Sequence, residues 1–358
     1  MAGMGTRASA GRKAGVAGCL VAATALLVAG CSSNGGSGSG GGTGSSTGGS
    51  GTPSTFAAAL AAIPSTSWDS SYFEFGDVAD VTRLNNASSG KSALNAYSMV
   101  GESQLIESET ATEDALGFDP LTVSSAVTVG NLPHSVGVLY GSFDPSTVGT
   151  KLAALGFKKH GDADGGTLWA IGDNDQINPN NPTEDPSLNV LDVAVGRIVY
   201  GGSTAEVEAV AASGSDSKPL AENASLSAIA SCLGSAKAGE IGPEPATDAS
   251  ASTYVGIGLL ASSASDASEE LCVTAPSSSR ASAIEANWTQ QIEHGKSASR
   301  DEAWSTLFTD PQATIVGGSP IVVRLTAEQA PGARVGTLLE AYFGPTVDLS
   351  SLIDQSTS

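Results

Sequence analysis

The first 31 residues constrain this chain more than any others. Arg7, Arg12 and Lys13 give a basic start, no acid precedes Cys31, and Ala14 to Gly30 is an apolar, small-residue run. That run is shorter than the ~20 apolar residues a membrane span needs, and its layout is that of an export signal. Residues 1–30 are therefore set aside from the fold as a lipoprotein-type signal peptide. The remainder of the chain is expected to fold in an oxidising space outside the cytoplasm.

The run ends Leu26-Leu27-Val28-Ala29-Gly30-Cys31. This resembles the bacterial lipobox, in which an aliphatic and two small residues precede the Cys that takes a diacylglyceryl group. Small residues let a peptidase reach the backbone, and a thiolate forms the thioether. Cys31 is the expected lipid-attachment residue, carrying diacylglycerol and an acyl chain such as palmitate. Such chains contribute about 0.8 kcal/mol per buried methylene, enough together for stable anchoring. The expected location is the cell envelope, on the outer face of the cytoplasmic membrane.

Charge agrees with an acyl anchor rather than an electrostatic one. The chain has 16 Lys+Arg and 37 Asp+Glu, a balance of −21. Loss of residues 1–30 removes three cations and no acid, giving 13 − 37 = −24. Anionic lipid repels such a body, and nucleic acid is excluded as a partner because phosphate contacts need a basic face.

Residues 31–55 form the lipidated Cys and a tether. Of the 23 residues from Ser32 to Ser54, 18 are Gly or Ser. A coil of this composition spans roughly 25–30 Å. The rest divides into an N-terminal half, 56–213, and a C-terminal half, 214–358.

Periodicity outlines the body. Phe56–Ile63 reads as a helix stopped by Pro64. Ser135–Phe143 alternates like a strand, and Asp144-Pro145 then opens a helix with Val148, Leu152 and Leu155 on one face. Thr167–Ile171 and Val190–Tyr200 read as strands. Ser203 and Glu206 have capping-box spacing. Leu226–Leu233 is helical, and Tyr254–Leu260 and Leu271–Thr274 are strands. Ile284, Trp288 and Ile292 recur every four residues on a helix. Ile315–Val316 and Ile321–Leu325 are strands. Val335, Leu338, Leu339 and Tyr342 mark a final amphipathic helix. The order predicts an α+β fold with mixed, largely antiparallel sheets and packed amphipathic helices. It is compatible with two similar halves, each a strand–helix–strand–strand–helix unit, although residue identity between them is poor.

One stretch carries a family likeness. It includes Gly117-Phe118-Asp119-Pro120, Gly141-Ser142-Phe143-Asp144, Leu155-Gly156-Phe157 and Gly166-Thr167-Leu168-Trp169. Tyr72-Phe73-Glu74-Phe75-Gly76 and Val195-Gly196-Arg197-Ile198-Val199-Tyr200 add to it. From Phe56 to Ala211 the chain resembles uncharacterised cell-envelope lipoproteins of actinobacteria. The resemblance implies a location and a fold; it carries over no catalytic residue.

Few groups invite chemistry. Cys232 and Cys272 are the only cysteines after Cys31, so export makes a disulfide the expected pairing. His134, His160 and His294 fit no zinc motif; His134 reads as a loop residue, and His160 lies just past a helix end. Asp173 and Asp175 sit in an Asp/Asn-rich stretch with alternate oxygen ligands suited to calcium. However, Ile177 takes the third ligand place and the loop Gly is missing. Gly90-Lys91-Ser92 and Gly295-Lys296-Ser297 lack the leading Gly of a phosphate loop. Ser88-x-x-Lys91 and Ser215-x-x-Lys218 have no Lys-Thr-Gly companion. Trp68 and Trp304, in polar surroundings, are the candidates for contacting a ligand.

No catalytic residue, metal or cofactor beyond the Cys31 lipid is indicated. The leading expectation is a non-catalytic binding or assembly protein of the envelope, held to the membrane by its lipid. Its partner would be an envelope protein, a lipid or a cell-wall component. The alternative is a lipid or small-molecule carrier with an apolar pocket between the halves. A carboxylate enzyme stays open as a third reading, because a dyad is defined by proximity in space.

Overall fold

The computed structural model describes residues 52–66, 72–87, 94–108, 116–131, 134–163, 165–172, 174–176, 186–212, 218–243, 253–343 and 347–353. Cys31, Trp68 and Asp173, with the signal and most of the tether, lie outside them.

The N-terminal half opens with α1 (Phe56–Ala62), β1 (Phe73–Gly76) and α2 (Val78–Ala87). It continues through β2 (Ser125–Asn131), β3 (His134–Tyr140) and α3 (Pro145–Ala154). The hairpins β4 (Lys158–Ala163)–β5 (Gly166–Ala170) and β6 (Val190–Ala194)–β7 (Arg197–Gly201) come next, then α4 (Thr204–Ala211). The C-terminal half has α5 (Ala224–Leu233), β8 (Ala238–Pro243), β9 (Tyr254–Ser263), β10 (Asp266–Ala275) and α6 (Ser278–His294). It ends with the short β11 (Lys296–Ser297) and β12 (Glu302–Ala303), β13 (Phe308–Val316), β14 (Ile321–Gln329), α7 (Thr337–Phe343) and α8 (Val347–Ile353).

Local chemistry sets the helix ends. Thr55, Asp144, Ser203, Asn223 and Ser277 each accept a backbone N–H through their side chains at N-caps. Pro145 occupies the first turn of α3, where its missing N–H costs nothing. Along α6, Ile284, Trp288 and Ile292 are all buried, as their spacing requires.

Twelve strands form one sheet in the order β13-β14-β10-β9-β8-β1-β2-β3-β7-β6-β5-β4. Every neighbouring pair is antiparallel. The fold is therefore α+β. Helices cover both faces. Phe73, Phe75, Val127, Val138, Val199 and Ile241 pack with α1, α4 and α5. On the opposite face α6 and α8 cover Val255, Ile257, Leu271 and Val323, and α3 covers Ile198 and Leu191. Cys232 of α5 is disulfide-bonded to Cys272 of β10, with Cα atoms 6.2 Å apart.

The two halves repeat one strand order about the β1–β8 pair. Outward from β1 run β2, β3, β7 and β6; outward from β8 run β9, β10, β14 and β13. Register repeats as well. Glu74 and Glu240 face each other directly. Ladder partners outward from Glu74 are Thr128, Gly137, Tyr200 and Leu191. Those from Glu240 are Ile257, Leu271, Leu325 and Ala313. Each half contains the expected strand–helix–strand–strand–helix order, β3-α3-β6-β7-α4 and β10-α6-β13-β14-α7, with the hairpins β4–β5 and β11–β12 inserted after α3 and α6, and with α2 standing between β1 and β2 in the N-terminal half. Among the described residues, only the N-terminal half extends its sheet further, with β5 and β4.

Several local expectations need correction. Val190–Tyr200 is two strands, because Gly196 at φ +79° closes a hairpin and Val195 stands 83% exposed at its tip. His134 begins β3, and its Nδ1 lies 2.7 Å from Glu206 Oε1. His160, read as lying just past a helix end, follows α3 and lies within β4. The last amphipathic pattern divides: Val335 precedes α7, and α8 adds a helix beyond it.

Candidate functional site

Two copies of the tripeptide Phe-Asp-Pro, at 118–120 and 143–145, meet at one end of the sheet. The first leads into β2 and the second leaves β3. Since Ser125 pairs with Tyr140, the residues just before one strand lie beside those just after the other. The Ser124 N–H donates to the Tyr140 carbonyl at 2.7 Å and extends that ladder.

Each tripeptide ends in a proline that starts a helical turn. Pro120 starts a short 3-10 helix, and the Thr122 hydroxyl donates to the Asp119 carbonyl at 2.9 Å. Pro145 starts α3. There Asp144 accepts the Ser146 N–H at 3.0 Å and the Thr147 hydroxyl at 2.6 Å. The Thr147 hydroxyl, then the backbone N–H groups, hold the exposed Asp144 carboxyl below its ordinary pKa, so it is ionised at neutral pH. The two rings pack edge to face, with centroids 5.7 Å apart at 78°. Gly141 admits the second ring, since a Cβ there would lie 3.2 Å from Phe143.

Between the turns lies an open cleft of about 420 Å³. Phe118, Asp119, Thr122, Ser142, Phe143 and Thr147 are among its walls. Ser142, Asp144 and Thr147 are exposed, and Phe143 is half-buried. This combines accessible hydroxyls, carboxylates and a ring in one concavity.

A second cluster is buried at the junction of the halves. The Tyr72 hydroxyl touches Glu74 and lies 2.6 Å from Glu240. Glu74 also accepts the Gly101 N–H at 2.9 Å and the Ser103 hydroxyl at 2.7 Å. Glu240 Oε1 has no hydrogen-bond partner among the described residues. One hydroxyl hydrogen serves two carboxyl groups, so a further proton is needed on one of them. Burial pushes both pKa values up against the hydrogen bonds that lower them, and the Glu74 charge adds to the rise at Glu240. Each glutamate is 1% exposed. They meet each other and Tyr72, not a solvent-filled cleft, and that placement suits a structural pair better than acid–base work on a substrate.

The remaining sequence candidates scatter. Asp175 takes φ +54° in a turn, and its N–H donates to the Gly202 carbonyl at 2.9 Å. Among the described residues, no group of three or more His, Cys, Asp or Glu is placed to hold a metal. Trp304 is 1% exposed rather than displayed to solvent, and its ring centroid lies 6.2 Å from that of Phe308. It borders a pocket of about 110 Å³ with Arg300, Thr337 and Asp348. Cys31, Trp68 and Asp173 lie outside the described residues. Taken singly, each Phe-Asp-Pro reads as a packing signal. The recurrence of the tripeptide 25 residues apart, each time beside a strand end, is the signal that marks the cleft.

No family model, curated protein or solved structure matches this chain.

Proposed function

We propose that this chain is a lipoprotein tethered through Cys31 to the outer face of the cytoplasmic membrane, and that its body binds rather than transforms a ligand. The observation that carries the binding reading is the open cleft between Phe118 and Phe143. The basic start, the apolar run and the lipobox-like ending support the anchor, as does the resemblance to actinobacterial envelope lipoproteins. Hydroxyl and carboxylate walls suit a polar occupant better than an acyl chain, which favours a binding protein over a lipid carrier.

Two measurements test this. Cys31→Ala moves the chain from the membrane to the soluble fraction; retention in the membrane contradicts the anchor. Native mass spectrometry of the full exported chain shows a mass excess that vanishes on denaturation. Ser142→Trp, which fills the cleft from an exposed position, abolishes that excess. An excess unchanged by Ser142→Trp places the ligand elsewhere.

A further inference from the structure

We infer that the cleft between the two Phe-Asp-Pro turns recognises a polyhydroxylated, uncharged ligand, a carbohydrate. This rests on the reading of that cleft as the binding site. Three features of its walls converge on the ligand class.

First, hydrogen-bonding groups of both kinds are present. The Ser142 hydroxyl both donates and accepts; the Thr122 and Thr147 hydroxyls, whose hydrogens go to the Asp119 carbonyl and the Asp144 carboxylate, accept, as do the carboxylates of Asp119 and Asp144. A sugar hydroxyl needs this mixture, because it too both donates and accepts. Bonds from such a hydroxyl to an ionised carboxylate are the stronger, charge-assisted kind. Asp144 is fixed for that role by the Ser146 N–H and Thr147 hydroxyl it already accepts. Its carboxylate keeps acceptor capacity beyond those two bonds.

Second, Phe143 supplies an apolar surface among these polar groups. Its ring is braced edge to face by the buried Phe118 and is itself half-buried. A pyranose ring presents C–H groups on one side and hydroxyls around its rim, which matches a ring surface within a polar wall.

Third, the walls argue against charged alternatives. None of the described residues lining the cleft is basic, and two are acidic, so a phosphate or carboxylate ligand meets repulsion. No cluster of three metal-ligating acids or imidazoles exists among the described residues. The volume of about 420 Å³ lies in the lower part of the range for small-molecule sites. The remaining competitor is an organic cation held by the carboxylates and the ring. The Ser142 hydroxyl favours the sugar, since an ammonium group offers no acceptor for its hydrogen.

The test is saturation-transfer NMR and calorimetry on the full chain. The probes are glucose, galactose, mannose, N-acetylglucosamine, maltose and cellobiose, with choline and spermidine as the cationic arm. At least one sugar is expected to bind, and Phe143→Leu and Ser142→Ala each weaken it about tenfold, the scale of one lost hydrogen bond or ring contact. Phe143→Leu keeps apolar bulk against Phe118, and Ser142→Ala changes an exposed side chain, so an unchanged melting temperature separates binding from folding. Binding of choline or spermidine without any sugar overturns the carbohydrate class. Binding of no probe also overturns it. In that case a mass excess still abolished by Ser142→Trp leaves the cleft standing as the site, whereas no excess removes both readings.

Discussion

Tyr72 offers one proton to two buried carboxyl groups, Glu74 and Glu240, and the pH dependence of stability follows from that shortage. Burial raises both folded-state pKa values above their unfolded values. Glu270, buried beside Arg324, is likewise pushed up to about 7. At pH below the ordinary carboxylate range these groups are protonated in folded and unfolded chains alike, and their stabilising contribution is complete. As pH rises, the unfolded chain releases protons first, so the contribution is lost progressively until the folded groups ionise. Urea unfolding of the full chain is therefore expected to show stability falling from pH 5 to pH 8. Glu240→Gln makes that fall shallower, because an amide does not ionise; a slope equal to the parent's contradicts the shared proton. The cleft residues behave differently. Asp144 is held below its ordinary pKa, so its contribution is present at neutral pH and lost only as the pH falls through the folded value.

At the scale of elements, one buried acid replaces a missing cap. Glu269 of β10 accepts the N–H groups of Thr337 at 2.9 Å and Leu338 at 3.1 Å at the start of α7, and the Tyr97 hydroxyl at 2.8 Å. These are donors that a seven-residue helix cannot satisfy internally. Glu269→Ala leaves them buried and unpaired and is expected to cost about 3 kcal/mol in urea unfolding. Glu269→Gln, which keeps an acceptor, costs less; equal costs contradict the capping role. No local pattern announces this contact, because its partners lie nearly 70 residues away. The same limit explains what was legible elsewhere. Helices with caps and a four-residue recurrence, such as Asp144-Pro145 with Val148 and Leu152, were readable because both signals are local. The α+β class followed from their order. Strand β4, Lys158-Lys159-His160-Gly161-Asp162-Ala163, was not, because an exposed polar edge strand has no buried face to alternate. Gly117-Phe118-Asp119-Pro120 and Gly141-Ser142-Phe143-Asp144 were legible only as parts of a likeness, and the β2–β3 pairing is what shows that their shared Phe-Asp-Pro turns face each other. The Tyr72–Glu240 contact spans 168 residues, beyond any periodicity.

At the scale of the whole molecule, the β1–β8 pair joins two matching strand orders into one sheet. The sequence bears the trace in Phe73-Glu74-Phe75-Gly76 and Gly239-Glu240-Ile241-Gly242, where Glu and Gly keep their places. Within the C-terminal half, Cys232–Cys272 ties α5 to β10 across 40 residues of chain. Closing a loop of that length stabilises by about 4 kcal/mol in the chain-entropy treatment. The double variant Cys232→Ala/Cys272→Ala is expected to lose about that much in urea unfolding under oxidising conditions, and a loss below about 1 kcal/mol contradicts it. The cleft lies where the two halves depart from their shared order. The Phe-Asp-Pro pair belongs to the N-terminal half alone; at the place corresponding to Asp144, before α6, stands Ser277. One half thus carries the cleft, and the other completes the sheet. The most direct measurement is amide hydrogen exchange of the full chain on its own envelope membranes, compared with the same chain purified free of ligand. Slower exchange on the membranes at 117–124 and 141–148, with no change at the corresponding 275–281, is the expected result. Identical exchange in both states, or slowing confined to other segments, contradicts a ligand-binding cleft between the two turns.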